Sequence, residues 1–151
     1  MKYIENLKLI SLFLTISTII VLISGAIGSN YLFKFLDENL ITILIALLAI
    51  NTTTGSVVMT KLKEITDKNK IDFSPTTKEL KKSVTEQVIS ILLATALLIV
   101  KDSNSILASY QNSELILNIL VVSVFASSIY NLYDTANSIF IILEFENNDE
   151  Q

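Results

Sequence analysis

The last long apolar segment of the chain carries one carboxylate and two amides at helical spacing. Asn131, Asp134 and Asn137 follow one another at intervals of three residues, within a stretch of Leu, Ile, Val, Phe and Tyr. In a helix, side chains three residues apart are neighbours. A carboxylate inside a membrane helix is costly, so it must be hydrated, hydrogen-bonded to amides and hydroxyls, or protonated. These residues are therefore candidates for a functional polar cavity.

Two other apolar segments carry polar residues at a matching depth. In the second segment these residues lie about two turns before Lys61, and in the third they lie about one turn inside Lys82. Matched depth is what a water-filled cavity or pore vestibule requires. We expect seven residues to form one polar layer: Asn51, Thr54, Glu86, Gln87, Asn131, Asp134 and Asn137.

The same layer has a purely structural interpretation. Polar side chains between membrane helices stabilise packing by about 0.6 kcal/mol each. Glu86 also lies four residues after Lys82, the spacing of a simple ion pair on one helix. Asp134 would then mark only the point where the last helix leaves the lipid. Both interpretations stay open on the sequence alone.

Four apolar segments must position this layer. They span about residues 9–32, 40–60, 84–100 and 115–143 of a 151-residue chain that is 51% hydrophobic. A membrane-spanning helix needs about 20 apolar residues, within a range of about 17–25. The remaining residues are too few for a separate soluble domain of ordinary size. The chain, residues 1–151, is therefore predicted to be one all-α, polytopic membrane domain with four transmembrane helices.

Small residues in the first segment form a possible helix-packing motif. Ser24 and Gly28 are four residues apart, a spacing that permits close approach of two helices in lipid. We expect this motif to pack within the subunit.

The basic residues, all eleven of them lysines, indicate the topology. Lys2 and Lys8 precede the first segment, whereas Lys34 and Lys101 border the second and third segments on the other side. Positive charge favours the cytoplasmic side, so both termini and the central connection are predicted to be cytoplasmic, in a bacterial inner membrane. The remaining seven lysines lie in that connection: Lys61, Lys63, Lys68, Lys70, Lys78, Lys81 and Lys82.

The central connection is predicted to form a short helical hairpin on the membrane. Ser74 and Pro75 are a favourable N-cap and first helical residue, so the third helix should begin before the bilayer. The lysines of this hairpin serve topology and attraction to the lipid surface. Alternatively, they bind a cytosolic protein, a nucleotide or an oligonucleotide.

Several chemistries are excluded by composition. The chain has no cysteine, histidine, tryptophan or arginine. Disulfides, zinc sites with nitrogen or sulfur ligands, and thiol or histidine-assisted nucleophilic catalysis are therefore excluded. We expect no enzymatic activity and no cofactor.

In architecture, the chain resembles the small four-helix membrane effectors of bacterial anti-phage defence operons, such as those of the Hailong and Kiwa systems. The four helices, inside termini, basic hairpin and Asp134 layer carry this resemblance. It implies a homo-oligomer, often a tetramer, that perturbs the membrane on infection under control of a cytosolic partner or nucleotide signal. We therefore expect a channel or membrane-perturbing effector gated from the cytoplasm. The alternative is a non-conducting membrane anchor that recruits a soluble partner.

Overall fold

The structure is a computed structural model that describes residues 2–69, 74–103 and 112–149. Within these ranges the chain is helical and contains no strand, as the predicted all-α class requires. Each helix is long and apolar enough to cross a membrane. The four helices are α1 (Lys2–Ala26), α2 (Tyr31–Asn69), α3 (Ser74–Lys101) and α4 (Ser113–Asp149).

Helix α1 ends earlier than the predicted span, which reached Leu32. Gly28 has a φ of 66°, a left-handed conformation that glycine adopts without steric cost. The Ser29 N–H donates to the Ser24 carbonyl at 2.9 Å, and the Gly28 N–H donates to the Gly25 carbonyl at 3.2 Å. This pair of bonds is the Schellman motif, which terminates helices. The expected packing motif is therefore wrong: Gly28 caps α1, and nothing lies within 4 Å of a Cβ built on it.

Helices α2 and α3 extend well past the predicted polar layer at one end of the bundle. Helix α2 continues to Asn69, eighteen residues after Asn51. Helix α3 begins at Ser74 with Pro75 in its first turn, as predicted. We call this end, where α2 finishes and α3 starts, the lysine-rich end.

Helix α4 is the centre of the packing. It contacts each of the other three helices, and α2 also contacts α3. Among the described residues, α1 packs against α4 alone. The core of the bundle consists of aliphatic side chains from all four helices: Val21, Leu36, Leu40, Leu44, Ala94, Val121, Val122 and Val124.

An ion pair joins α2 to α3 at the end opposite the lysine-rich end. The Lys101 Nζ lies 2.6 Å from Asp37 Oδ1 and 2.7 Å from Asp37 Oδ2. The same ammonium group lies 6.0 Å from the centre of the Phe33 ring. The pair links the end of α3 to the second turn of α2.

The outer surface of the bundle is strongly apolar. Ile27, Leu92 and Ile99 are 73%, 66% and 67% exposed. Large apolar side chains exposed to this extent need a partner or lipid. Together with four helices of spanning length, this surface indicates a membrane location.

Candidate functional site

The candidate site begins with two fully buried amides on neighbouring helices. Asn51 of α2 is 1% exposed and Gln87 of α3 is 0% exposed. The Asn51 Nδ2 donates to Gln87 Oε1 at 2.8 Å and to Ser83 Oγ at 3.0 Å. Both amide hydrogens of Asn51 are therefore used to connect α2 with α3.

Ser83 connects this pair to α4. Its Oγ donates to Asn131 Oδ1 at 2.7 Å, and the Asn131 Nδ2 donates to the main-chain carbonyl of Ser83 at 3.1 Å. The Thr135 hydroxyl lies 3.0 Å from Ser83 Oγ and 3.0 Å from the Asn131 carbonyl. One serine hydroxyl therefore contacts side chains from α2 and α4. We call this set the buried amide network: Asn51, Ser83, Gln87, Asn131 and Thr135.

The network is almost completely satisfied. Ser83 Oγ donates to Asn131 and accepts from Asn51. It reaches the full capacity of a hydroxyl when Thr135 donates to it in place of the Asn131 carbonyl. Gln87 Nε2 has no hydrogen-bond partner among the described residues, although it is buried. Such groups normally have partners, because leaving one unpaired costs about 1–3 kcal/mol. Apart from Gln87 Nε2, the arrangement is what interhelical packing requires.

Three residues of the predicted layer meet in this network: Asn51, Gln87 and Asn131. The prediction missed Ser83 and Thr135. Each lies four residues from a predicted member, Gln87 or Asn131, and therefore on the same helix face. That spacing was the available signal, and it is weak because serine and threonine are frequent in these helices.

The other four residues of the predicted layer lie outside the network. Glu86 forms an ion pair with Lys82 at 2.8 Å, and both side chains are nearly half exposed, which matches the structural interpretation of this residue. Thr54 is half-buried, whereas Asn137 and Asp134 are exposed. Among the described residues, no side-chain hydrogen bond is formed by Thr54 or Asn137.

Asp134 lies in a shallow cleft between α3 and α4. The cleft has a volume of about 90 Å³. The Asp134 carboxylate forms no hydrogen bond or ion pair with the described residues, since only its main-chain carbonyl accepts a bond, from Ser138. Three residues that line this cleft, Ser83, Asn131 and Thr135, also belong to the buried amide network. The cleft therefore opens directly onto that network. Its lining comprises Thr76, Glu79, Leu80, Lys82, Ser83, Glu86, Asn131, Asp134, Thr135 and Ser138.

The cleft offers acceptor oxygens for water or monovalent cations, with one lysine beside them. Within the described ranges, no group of three acidic, histidine or cysteine side chains is placed to hold a metal ion. Carboxylates attract cations, as rings of acidic side chains do in cation-selective pores.

The lysines surround the lysine-rich end of the bundle. Lys63, Lys78 and Lys81 are exposed. Lys61 pairs with Glu64 at 3.2 Å, and the pair is largely exposed, as is the Lys82–Glu86 pair. Exposed pairs of this kind contribute about 0–1 kcal/mol. The exposed side chains of Lys63, Lys78 and Lys81 can attract anions. Lys70 and the side chain of Lys68 lie outside the described residues.

Comparisons with known proteins do not extend this assignment. No protein-family model matches the chain, and neither a curated protein nor a solved structure is similar to it. Fold and site together define the class: an all-α protein with four helices that are long and apolar enough to span a membrane.

Proposed function

We propose that the protein is a homo-oligomeric membrane channel, or membrane-perturbing effector, gated from the cytoplasm. The observation that carries the proposal is Asp134, an exposed carboxylate on an apolar helix. It forms no hydrogen bond or ion pair with the described residues, and Lys82 lines the same cleft. From Glu114 to Asp134 the helix rises about 30 Å, the thickness of the hydrocarbon core. A carboxylate at that level needs water, a counter-charge such as Lys82 of the same cleft, or polar groups from another molecule.

In this proposal the conducting path runs between subunits. Leu36, Leu40 and Leu44 are fully buried, and they fill the bundle on the side of the network away from the lysine-rich end. The buried amide network uses its hydrogen bonds internally to hold α2, α3 and α4 together. Asp134 and Asn137, in contrast, are exposed and available to line a vestibule shared by several subunits.

The lysine-rich end supplies the control of the channel. With both termini in the cytoplasm of a bacterial cell, the α2–α3 hairpin lies at the inner membrane surface. Its exposed lysines, among them Lys63, Lys78 and Lys81, would bind an anionic signal such as a nucleotide, an oligonucleotide or an acidic protein. The architectural resemblance to anti-phage effectors makes infection the proposed trigger.

Membrane anchoring is the second candidate function. It is favoured by the extent of helix beyond the network, since α2 alone continues for eighteen residues after Asn51. A projecting basic hairpin is also what a non-conducting protein needs to recruit a soluble acidic partner. The two candidates differ in whether Asp134 faces a conducting path.

Single-channel recording of the purified protein in a planar bilayer tests the proposal. We expect cation-selective conductance that Asp134→Asn reduces, because the amide keeps the size but removes the charge. Asp102→Asn is the matched control, since this carboxylate is also exposed but lies at the opposite end. Absence of conductance in the wild-type protein, or equal conductance of the Asp134→Asn variant across salt concentrations, would favour the anchor.

A further inference from the structure

Helix α2 has a second face that the bundle does not use. Its core-facing side chains, including Leu40, Leu44 and Asn51, are buried. On the opposite side, exposed residues with small side chains recur alternately every four and three residues. We call them the small-residue face: Thr42, Ala46, Ala49, Thr53, Ser56 and Thr60.

This face has the length and period of a helix-packing seam. From Thr42 to Thr60 the helix rises about 27 Å, nearly the full hydrocarbon thickness. Alternation of three and four residues keeps a seam in register with a second helix. Small side chains on such a seam allow two membrane helices to approach closely. Lys63, also exposed, continues the same repeat by one step towards the lysine-rich end.

Helix α4 exposes a face of complementary chemistry. Helices α1 and α3 both pack against α4, but they do not contact each other among the described residues. Asp134 and Asn137 are exposed on α4, and Ser123 and Ser127 precede Asp134 at intervals of eleven and seven residues on the same side. This face therefore combines small residues with carboxylate and amide groups.

The two faces match in depth. Asn51 and Asn131 both bond Ser83, so they lie at a common level. Because α2 and α4 run in the same direction, Thr53 and Ser56 lie near the level of Asp134 and Asn137. Rotation about an axis normal to the membrane preserves depth, so these groups lie at one level in all copies of a ring and can face each other there.

We infer that the small-residue face of α2 docks onto the Asp134 face of α4 in a second copy of this chain. Thr53 and Ser56 then lie opposite the Asp134 carboxylate, and their hydroxyls donate to it in place of the Ala49 and Thr52 carbonyls of their own helix. The contact is heterologous, because the two faces differ, and repetition of it closes a ring. The inference rests on the homo-oligomer proposed above and specifies its interface.

Cysteine cross-linking tests the interface, since the natural chain has no cysteine. Thr53→Cys and Asn137→Cys are combined in one chain, and membranes are oxidised with copper phenanthroline. We expect a ladder of dimers and larger species, whereas neither single variant cross-links. The control pair is Ser11→Cys with Asn137→Cys, which offers an equally exposed hydroxyl position on α1 and should not form the ladder.

Two results would overturn the inference while leaving a homo-oligomer intact. A dimer of the Thr53→Cys single variant would show a symmetric α2–α2 contact, and a ladder from the control pair would place α1 at the interface. Native mass spectrometry of the same samples separates these failures from that of the proposed function. An oligomer without the Thr53–Asn137 ladder rejects the interface alone, and a monomer rejects both.

A bulky substitution gives a second test that does not need oxidation. Ala46→Leu adds volume to the small-residue face without touching the core, so the subunit should fold while the oligomer is lost. Ala96→Leu makes the same change at an exposed position of α3 and should leave the oligomer unchanged. Equal oligomer content in the two folded variants would contradict the docking of this face.

Discussion

Ser83 and Asn131 hydrogen-bond to each other twice, through the Ser83 hydroxyl at 2.7 Å and through the Ser83 main-chain carbonyl at 3.1 Å. The Asn131 side chain thus bonds both the hydroxyl and the main-chain carbonyl of one residue on the facing helix. This double contact fixes both the rotation and the height of α4 relative to α3.

Replacing Ser83 by alanine should destabilise the bundle. The side chain contacts Asn51, Asn131 and Thr135, and at about 0.6 kcal/mol for each interhelical bond the loss is about 2 kcal/mol. Unfolding in mixed micelles measures this difference. Ser90→Ala is the control, because the Ser90 hydroxyl bonds only the Glu86 carbonyl of its own helix. Similar unfolding of the two variants would contradict the central role of Ser83.

Replacing Ser17 by alanine should leave the stability unchanged or raise it. Ser17 is 0% exposed on α1, and its hydroxyl has no partner among the described residues. Removing an unpaired buried hydroxyl relieves a cost of about 1 kcal/mol. The same unfolding assay applies, with Thr15→Ala as a control, since Thr15 is exposed and bonds the Ser11 carbonyl. A clear loss of stability for Ser17→Ala would show that its hydroxyl has a stabilising partner.

Replacing Asp37 by asparagine should destabilise the end of the bundle opposite the lysine-rich end. The carboxylate holds Lys101 with both oxygens, and the lysine side chain is only 12% exposed. Because Asp37 itself is 39% exposed, solvent screening limits the expected loss to about 1 kcal/mol. Amide hydrogen exchange at the end of α3 should accelerate in Asp37→Asn. Glu114 is an exposed carboxylate that lines a surface cleft together with Asp37 and Lys101. The control variant Glu114→Gln should have no comparable effect.

The proposed topology predicts opposite accessibility for two engineered cysteines. Lys63→Cys, on the hairpin, should react with a membrane-impermeant maleimide only in inside-out vesicles. Asp102→Cys should react only in vesicles of the original orientation. Both positions are exposed, so protection reflects the membrane and not burial in the subunit. Labelling of both cysteines from the same side would contradict the four-span arrangement.

The sequence predicted the level of the polar residues along their helices better than the direction in which each side chain points. The sequence predicts one level for Asn51, Gln87 and Asn131, because the distance of each from a lysine or from a segment end can be counted in helical turns. Which face turns inward is decided by packing of the whole bundle. Asp134 is only three residues from Asn131, about 60° around the helix, yet it is exposed while Asn131 is half-buried and bonded.

Ser83 and Thr135, the two members of the buried amide network that the sequence did not predict, are both hydroxyl residues. Most serine and threonine side chains in these helices bond the carbonyl four residues earlier, as Thr52 and Thr95 do. A hydroxyl that reaches a neighbouring helix therefore looks the same in the sequence as one that does not. The early end of α1 had a clearer signal, since Gly28 is one of only three glycines and glycine is the usual residue after a helix end.

The central position of α4 has a consequence for biosynthesis. Helix α4 is the last of the four to leave the ribosome, yet it is the only described partner of α1. In the proposed membrane protein, α1 therefore lacks its described partner until α4 has been translated. Its composition suits that interval: the hydroxyls of Thr15 and Thr18 bond carbonyls of their own helix, and most of its described apolar side chains are exposed. In that protein, the packing of α1 into the bundle is consequently completed only after α4 has been translated.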